Sequence, residues 1–226
     1  VPINQCSARP EGDDARRRIR DVSVPVVRVM TQSDYLRGIA GRRPDSDEPQ
    51  DRFRNYEIAG SGHATPEELL FGPAVADIEK AGIAVPPLQC NEGPRSRFPN
   101  SVAFNAVYRN LDLWVRKNIA PPRAEAILVE DGKPVLDRHG NVRGGVRSPF
   151  VDVPTAQWSG TSTGESFCSI AGHEKPFDAA QLKELYPTHE KYFSAVKTNI
   201  EQLIAARFIT PEDGAKLIAQ ASSASK

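Results

Sequence analysis

Two apolar runs of different kinds stand in the first quarter of this chain. Val24-Pro25-Val26-Val27-Arg28-Val29-Met30 is almost continuous in apolar and β-branched residues, the pattern of a buried strand in a parallel sheet. Arg52-Phe53-Arg54-Asn55-Tyr56-Glu57-Ile58 instead alternates polar with apolar, the pattern of an edge or half-buried strand. Together they fit the last two strands of an open sheet. After a proline-rich excursion around Pro86, Pro87, Pro94 and Pro99, the period becomes helical from about Ser101 to Asn118. Val102, Ala106, Val107, Leu111, Trp114 and Val115 form the apolar stripe, and Pro121-Pro122 stops it. Trp114 is expected in the core.

The second half changes character. Ala126 to Glu130 and Val135 to Asp137 flank Asp131-Gly132-Lys133, a hairpin signature, and Asp137-Arg138-His139-Gly140-Asn141 supplies the next turn. Gly144-Gly145 and Pro149 then mark an extended segment, Val146 to Trp158. From Asp178 the chain reads as helical, broken by Pro187, resumed from Thr188 through Ala206, and capped afresh at Thr210-Pro211-Glu212-Asp213. The pattern divides the chain into an irregular lead-in (1–21), a strand-and-helix core (22–122), a hairpin with an extended wrapping segment (123–177) and a helical tail (178–226). The predicted fold class is α/β.

Composition narrows the function by exclusion. Lys+Arg and Asp+Glu number 29 each, so no domain-wide positive field draws in nucleic acid or anionic lipid. The 19 prolines among 226 residues exceed the usual share of about 5%, which predicts much loop and irregular wrapping. Arg16, Arg17, Arg18 and Arg20 are bracketed by Asp13, Asp14 and Asp21 and read as a solvated surface. Val1 to Arg20 holds neither the apolar core of a signal peptide nor a membrane span. Cys6, Cys90 and Cys168 lack metal-ligand spacing, and no metal or other cofactor is expected. Cys90 and Cys168, each in or after a loop, are open to two readings: a disulfide, which a secreted or periplasmic setting would favour, or two free thiols. Cys6 would then pair outside this sequence.

The chemistry concentrates at the strand ends. The first strand runs into Thr31-Gln32-Ser33-Asp34, and the second into Gly60-Ser61-Gly62-His63. A carboxylate at one strand end and an imidazole at the next, 29 residues apart, suit the acid and base of a Ser-His-Asp hydrolase, in which the acid fixes the imidazole tautomer. Gly60 and Gly62 permit a sharp turn that exposes the ring. Asp45, Asp47 and Asp51 are alternative acids, and a turn-capping role is the bland reading of Asp34. His139, His173 and His189 read as structural or solvated. In α/β-hydrolase order the nucleophile precedes the acid, yet only 33 residues precede Asp34 and none forms Gly-x-Ser-x-Gly. The pattern does occur at Gly160-Thr161-Ser162-Thr163-Gly164, without the preceding buried strand and following helix that an elbow requires, so Ser162 reads as a loop serine.

Val24 to Asp34, Ala59-Gly60-Ser61-Gly62-His63-Ala64, Leu113-Trp114-Val115 before Pro121-Pro122, and Gly144-Gly145-Val146-Arg147-Ser148-Pro149 with Asp152-Val153-Pro154 resemble the carboxy-terminal half of a bacterial α/β-hydrolase family. The last stretch is the most particular. The resemblance implies that residues 22–122 are the last strands and helix of a hydrolase core, with Asp34 the triad acid and His63 the base. The expected function is esterase-like hydrolysis of a small ester or other acyl substrate, the serine nucleophile lying on a missing amino-terminal half or a separate chain. The chain's start at Val1 rather than methionine agrees with that expectation. The competing expectation is a noncatalytic binding or assembly subunit in which Asp34 and His63 are structural.

Overall fold

The computed structural model describes residues 22–34, 39–63, 75–85, 89–165 and 168–224. The lead-in, its arginine run and Cys6 lie outside these residues. Strand β1 (Val22–Thr31) and strand β2 (Asp51–Ile58) pair in parallel. Their register runs unbroken from Val26 opposite Phe53 to Thr31 opposite Ile58, with an irregularity between Val22 and Val26. Pro25 falls inside that irregularity, where a residue without an N–H interrupts no ladder.

The burial of the two strands is the reverse of what their patterns predict. β2 is buried from Phe53 to Ile58, whereas β1 is mostly half-buried and its Val24 is 61% exposed. The reason is that the polar residues of β2 have partners brought from elsewhere. Arg54, 2% exposed, donates to the Pro121 and Ser46 carbonyls and to Asp47, and its guanidinium lies over the Trp114 ring. Glu57, 1% exposed, receives Arg42 through Nε and Nη2 at 2.7 and 2.6 Å and the Ile127 amide at 2.9 Å. A buried charge is tolerated when it is paired and hydrogen-bonded. β2 is also flanked on its second edge, where the Val146 amide donates to the Glu57 carbonyl and the Ala59 amide to the Val146 carbonyl.

A short helix, α1 (Val75–Lys80), and a small hairpin of β3 (Gln89–Cys90) and β4 (Gly93–Pro94) precede the long helix α2 (Asn100–Lys117). Asn118, left-handed at φ 54°, caps α2 just before the two prolines. Trp114 is 2% exposed, in the core as its stripe position predicts. The hairpin of β5 (Val129–Glu130) and β6 (Lys133–Pro134) turns on Asp131 and Gly132, both at positive φ. The extended segment is interrupted by a helical turn, α3 (Pro149–Asp152), before strand β7 (Ala156–Ser159). β7 pairs antiparallel with β8 (His173–Pro176) across the turn helix α4 (Cys168–Ala171).

Three helices close the chain: α5 (Ala179–Leu185), α6 (His189–Ala205) and α7 (Pro211–Ser223). Asp178 makes a full capping box, and Thr188 and Thr210 cap the next two helices through their side chains, as their positions before each helix predict. Ile58, Phe98, Ile127, Val142, Val151 and Trp158 form the central core under the end of β2, and Val196, Ile200, Ile209 and Leu217 form the core of the tail. Phe150 packs against both cores, joining the tail to the centre.

Candidate active site

Because β1 and β2 are parallel neighbours, both carboxyl ends emerge on one side of the sheet, the side where open α/β sheets hold their ligands. The two turns that follow are fastened to each other. The Gln32 amide donates to Ser61 Oγ at 3.2 Å, the Gly60 amide donates to Gln32 Oε1 at 2.7 Å, and Ser61 Oγ donates back to the Ile58 carbonyl at 2.8 Å. Gln32, Ser33 and Ser61 are all buried, so these bonds lie away from water.

Glycine is required twice in this turn. Gly60 has φ +82°, and a Cβ there would stand 2.9 Å from Phe98 and Val151. A Cβ on Gly62 would stand 2.4 Å from the Ala171 carbonyl oxygen. This close approach lets the His63 amide donate to the Ile170 carbonyl at 2.7 Å, with Ser33 Oγ as a second acceptor at 2.9 Å, while Asn100 Nδ2 donates to the Gly62 carbonyl. The backbone leading into the imidazole is therefore fixed by α4, the Gln32–Asp34 turn and the start of α2.

His63 Nδ1 lies 3.1 Å from each oxygen of the Asp34 carboxylate. Asp34 Oδ2 also accepts from the Thr31 hydroxyl at 2.6 Å and the Thr31 amide at 3.1 Å. Partial burial pushes the Asp34 carboxyl up, but the Thr31 hydroxyl, the His63 ring and the Thr31 amide together outweigh it and hold the carboxyl below its ordinary range. An ionised carboxylate only accepts, so Nδ1 carries the ring proton. Nε2 is then the basic nitrogen in the neutral ring. It makes no hydrogen bond among the described residues, and the His63 side chain is 58% exposed against 21% for Asp34. An acid anchors one side of an imidazole whose other nitrogen is presented to solvent.

A family model described as alpha/beta hydrolase domain matches residues 1–219. The chain belongs to the alpha/beta hydrolase domain family. Comparison with curated proteins and with solved structures returned no match.

The hydrolase domain brings Asp34 to His63 and directs the alternative acids elsewhere. Asp47 pairs with Arg54 and Arg123, Asp51 with Arg43, and Asp45 accepts the Asn55 amide beside Arg54. Ser162 is 8% exposed, in a coil, with its amide donating to the Cys168 carbonyl. Its Oγ lies 3.2 Å from His173 Nδ1, but that nitrogen also lies 2.9 Å from the Thr161 carbonyl oxygen. A carbonyl only accepts, so Nδ1 carries a proton and cannot take one from Ser162. His139 Nε2 accepts from Arg138, and His189 Nε2 donates to the Ala221 carbonyl.

Sequence reasoning missed the supports. Thr31, Gln32, Ser33, Ser61 and Asn100 orient the pair, and the signal available was the polar triplet Thr31-Gln32-Ser33 closing an apolar strand. The structure joins Cys90 and Cys168 by a disulfide, choosing between the two readings left open. Among the described residues no cluster of three or more His, Cys, Asp or Glu is placed to hold a metal, and no helix is long and apolar enough to cross a membrane.

Proposed function

We propose that the chain supplies the acid and the base of a serine hydrolase acting on a small ester or other acyl substrate, and that the nucleophilic serine comes from a segment outside this sequence, an amino-terminal half or a separate chain. The observation that carries this reading is the Asp34–His63 pair, with Nε2 making no hydrogen bond among the described residues. In the reaction Nε2 takes the serine hydroxyl proton as Oγ attacks the acyl carbon. The Asp34 carboxylate then faces an imidazolium, whose proton goes to the departing alcohol. The same nitrogen activates the water that releases the acid from the acyl-enzyme. No cofactor enters these steps.

The external nucleophile is supported by three observations. Ser162 is bonded in a way that leaves it without a base. Ser33 and Ser61 are buried, and their hydroxyls hold the two turns together. Among the described residues β1 pairs only with β2, although its run of valines suits a strand flanked on both sides. Residues 22–122 would then be the last strands and packing helix of a larger sheet.

A fluorophosphonate probe, which attaches to activated serine, tests the reading on the intact native protein. The labelled peptide should lie outside this sequence, labelling should be lost in His63→Ala, and it should persist in Ser162→Ala. Labelling on Ser162, or labelling that survives His63→Ala, overturns it.

A further inference from the structure

The Gly144-Gly145-Val146-Arg147 stretch, the most particular part of the sequence, takes no part in the Asp34–His63 pair. Of that stretch Arg147, together with the turn at Asp137, Arg138 and His139, walls a cleft of about 510 Å³ whose charged and titratable lining is Asp137, Arg138, His139, Arg143, Arg147 and Asp152. That volume falls in the range of small-molecule sites. None of these residues belongs to the machinery described above.

The hydrogen bonds sort the charges into those already matched and those that are not. Arg147 is engaged at all three nitrogens and ion-paired: Nε donates to Asp152 Oδ1 at 2.7 Å, Nη1 to the Val142 carbonyl and Nη2 to the Val151 carbonyl. Asp152 receives Asn199 on its other oxygen at 3.0 Å, so its charge is matched on both sides. Asp137 turns Oδ1 to the His139 and Asn141 amides at 2.8 and 3.0 Å. Arg138 uses only Nε, on the His139 ring. The Arg143 side chain makes no hydrogen bond or ion pair among the described residues, although its backbone is held on both sides, by Val135 and Leu128. Among the described residues the Arg138 Nη groups and the whole Arg143 guanidinium, both on residues lining the cleft, thus make no hydrogen bond, against one carboxylate oxygen in the same state, Asp137 Oδ2.

We propose that this cleft binds a small molecule through an oxyanion, a phosphate monoester or a carboxylate, gripped by Arg143 and Arg138. The guanidinium fork matches both groups with paired N–H donors, a geometry an ammonium cannot reproduce. The rigid turn fixes the spacing of the two arginines: the Asp137 amide donates to the Asn141 carbonyl at 2.7 Å, and Leu136 bridges Val142. The site is independent of the Asp34–His63 reading.

The test is calorimetric titration of the full chain with methyl phosphate and, separately, with benzoate, at an ionic strength of roughly 0.02 M, where screening is weak. One of the two should bind with 1:1 stoichiometry, and the one that does names the class. Affinity should fall by about tenfold or more in Arg143→Ala and in Arg138→Ala, and less in Arg143→Lys, which keeps the charge but not the fork. Arg109→Ala, which removes an exposed arginine paired with Glu212, and His63→Ala should leave binding unchanged. Thermal melting of Arg143→Ala should match the parent, because that side chain supports nothing in the described fold. Binding of neither anion, or an equal loss in Arg109→Ala, overturns the proposal.

Discussion

At the scale of single residues, Thr31 decides the state of the candidate acid. Its hydroxyl, buried at the end of β1, donates to Asp34 Oδ2 at 2.6 Å. A hydrogen bond to a charged acceptor is worth about 1.5–3 kcal/mol, so Thr31→Val, nearly the same in shape, should lose that much stability at pH 7 in denaturant titrations. The sign with pH follows from the direction of the Asp34 shift. Its carboxyl is held below its ordinary value in the folded chain, so the stabilisation is present above the unfolded value of about 3.9 and is lost as pH falls through the folded one. The gap between Thr31→Val and the parent should therefore shrink below about pH 4; a constant gap down to acid would place the effect in packing rather than in the carboxylate. Activity should respond differently from stability. Under the proposed acid role, Asp34→Asn should lower kcat by about 10⁴, because an amide can present its N–H to Nδ1 and leave the ring in the wrong tautomer.

At the scale of elements, the chain's pattern was legible where one residue type has one physical use. The Thr210 cap, the helix start near Thr188, the Asp131-Gly132 turn and the Trp114 stripe were readable because each is a local solution to a local need. The approach of the Asp34 carboxylate to the His63 ring was readable for a related reason: the strand ends bring short turns together, and the two glycines announced the sharp one. What could not be read was which strand is buried. Arg54 and Glu57 give β2 the alternation of an edge, and their partners, Pro121, Asp47, Arg42 and Ile127, come from loops whose positions no period encodes. The consequence is measurable. Glu57→Ala should cost about 3 kcal/mol or more in equilibrium unfolding, since removing one partner of a buried pair leaves the other uncompensated and the Ile127 amide without its acceptor. Arg42 is 26% exposed, which keeps the value toward the lower end. A cost under about 1 kcal/mol, the level of a surface pair, would show that water reaches this site.

At the scale of the whole molecule, the turn that presents His63 rests on chain segments far away in sequence, and the disulfide ties those segments together. Cys90 closes β3 beside the segment leading to α2, and Cys168 opens α4, whose Ile170 carbonyl accepts the His63 amide and whose Ala171 backbone lies against Gly62. The same two segments meet again where Asn91 donates to the Thr163 carbonyl at 3.0 Å, where the Ser96 amide donates to the Gly172 carbonyl at 3.1 Å, and where Arg97 pairs with Glu174. The link spans 78 residues; restricting the unfolded chain over a loop of that size contributes at most about 4.5 kcal/mol, and disulfides typically deliver about 2–4 kcal/mol. Replacing both cysteines by serine should remove that amount. A purely unfolded-state effect would lower the stability of every protected amide together. Because α4 is a single helical turn held at one end by Cys168, the loss should also be local: hydrogen exchange at the His63 amide should accelerate more than at the Glu57 or Ile58 amides of β2. Equal acceleration at all three would confine the disulfide to the unfolded chain, and a selective rise at His63 would make it part of what holds the imidazole in place.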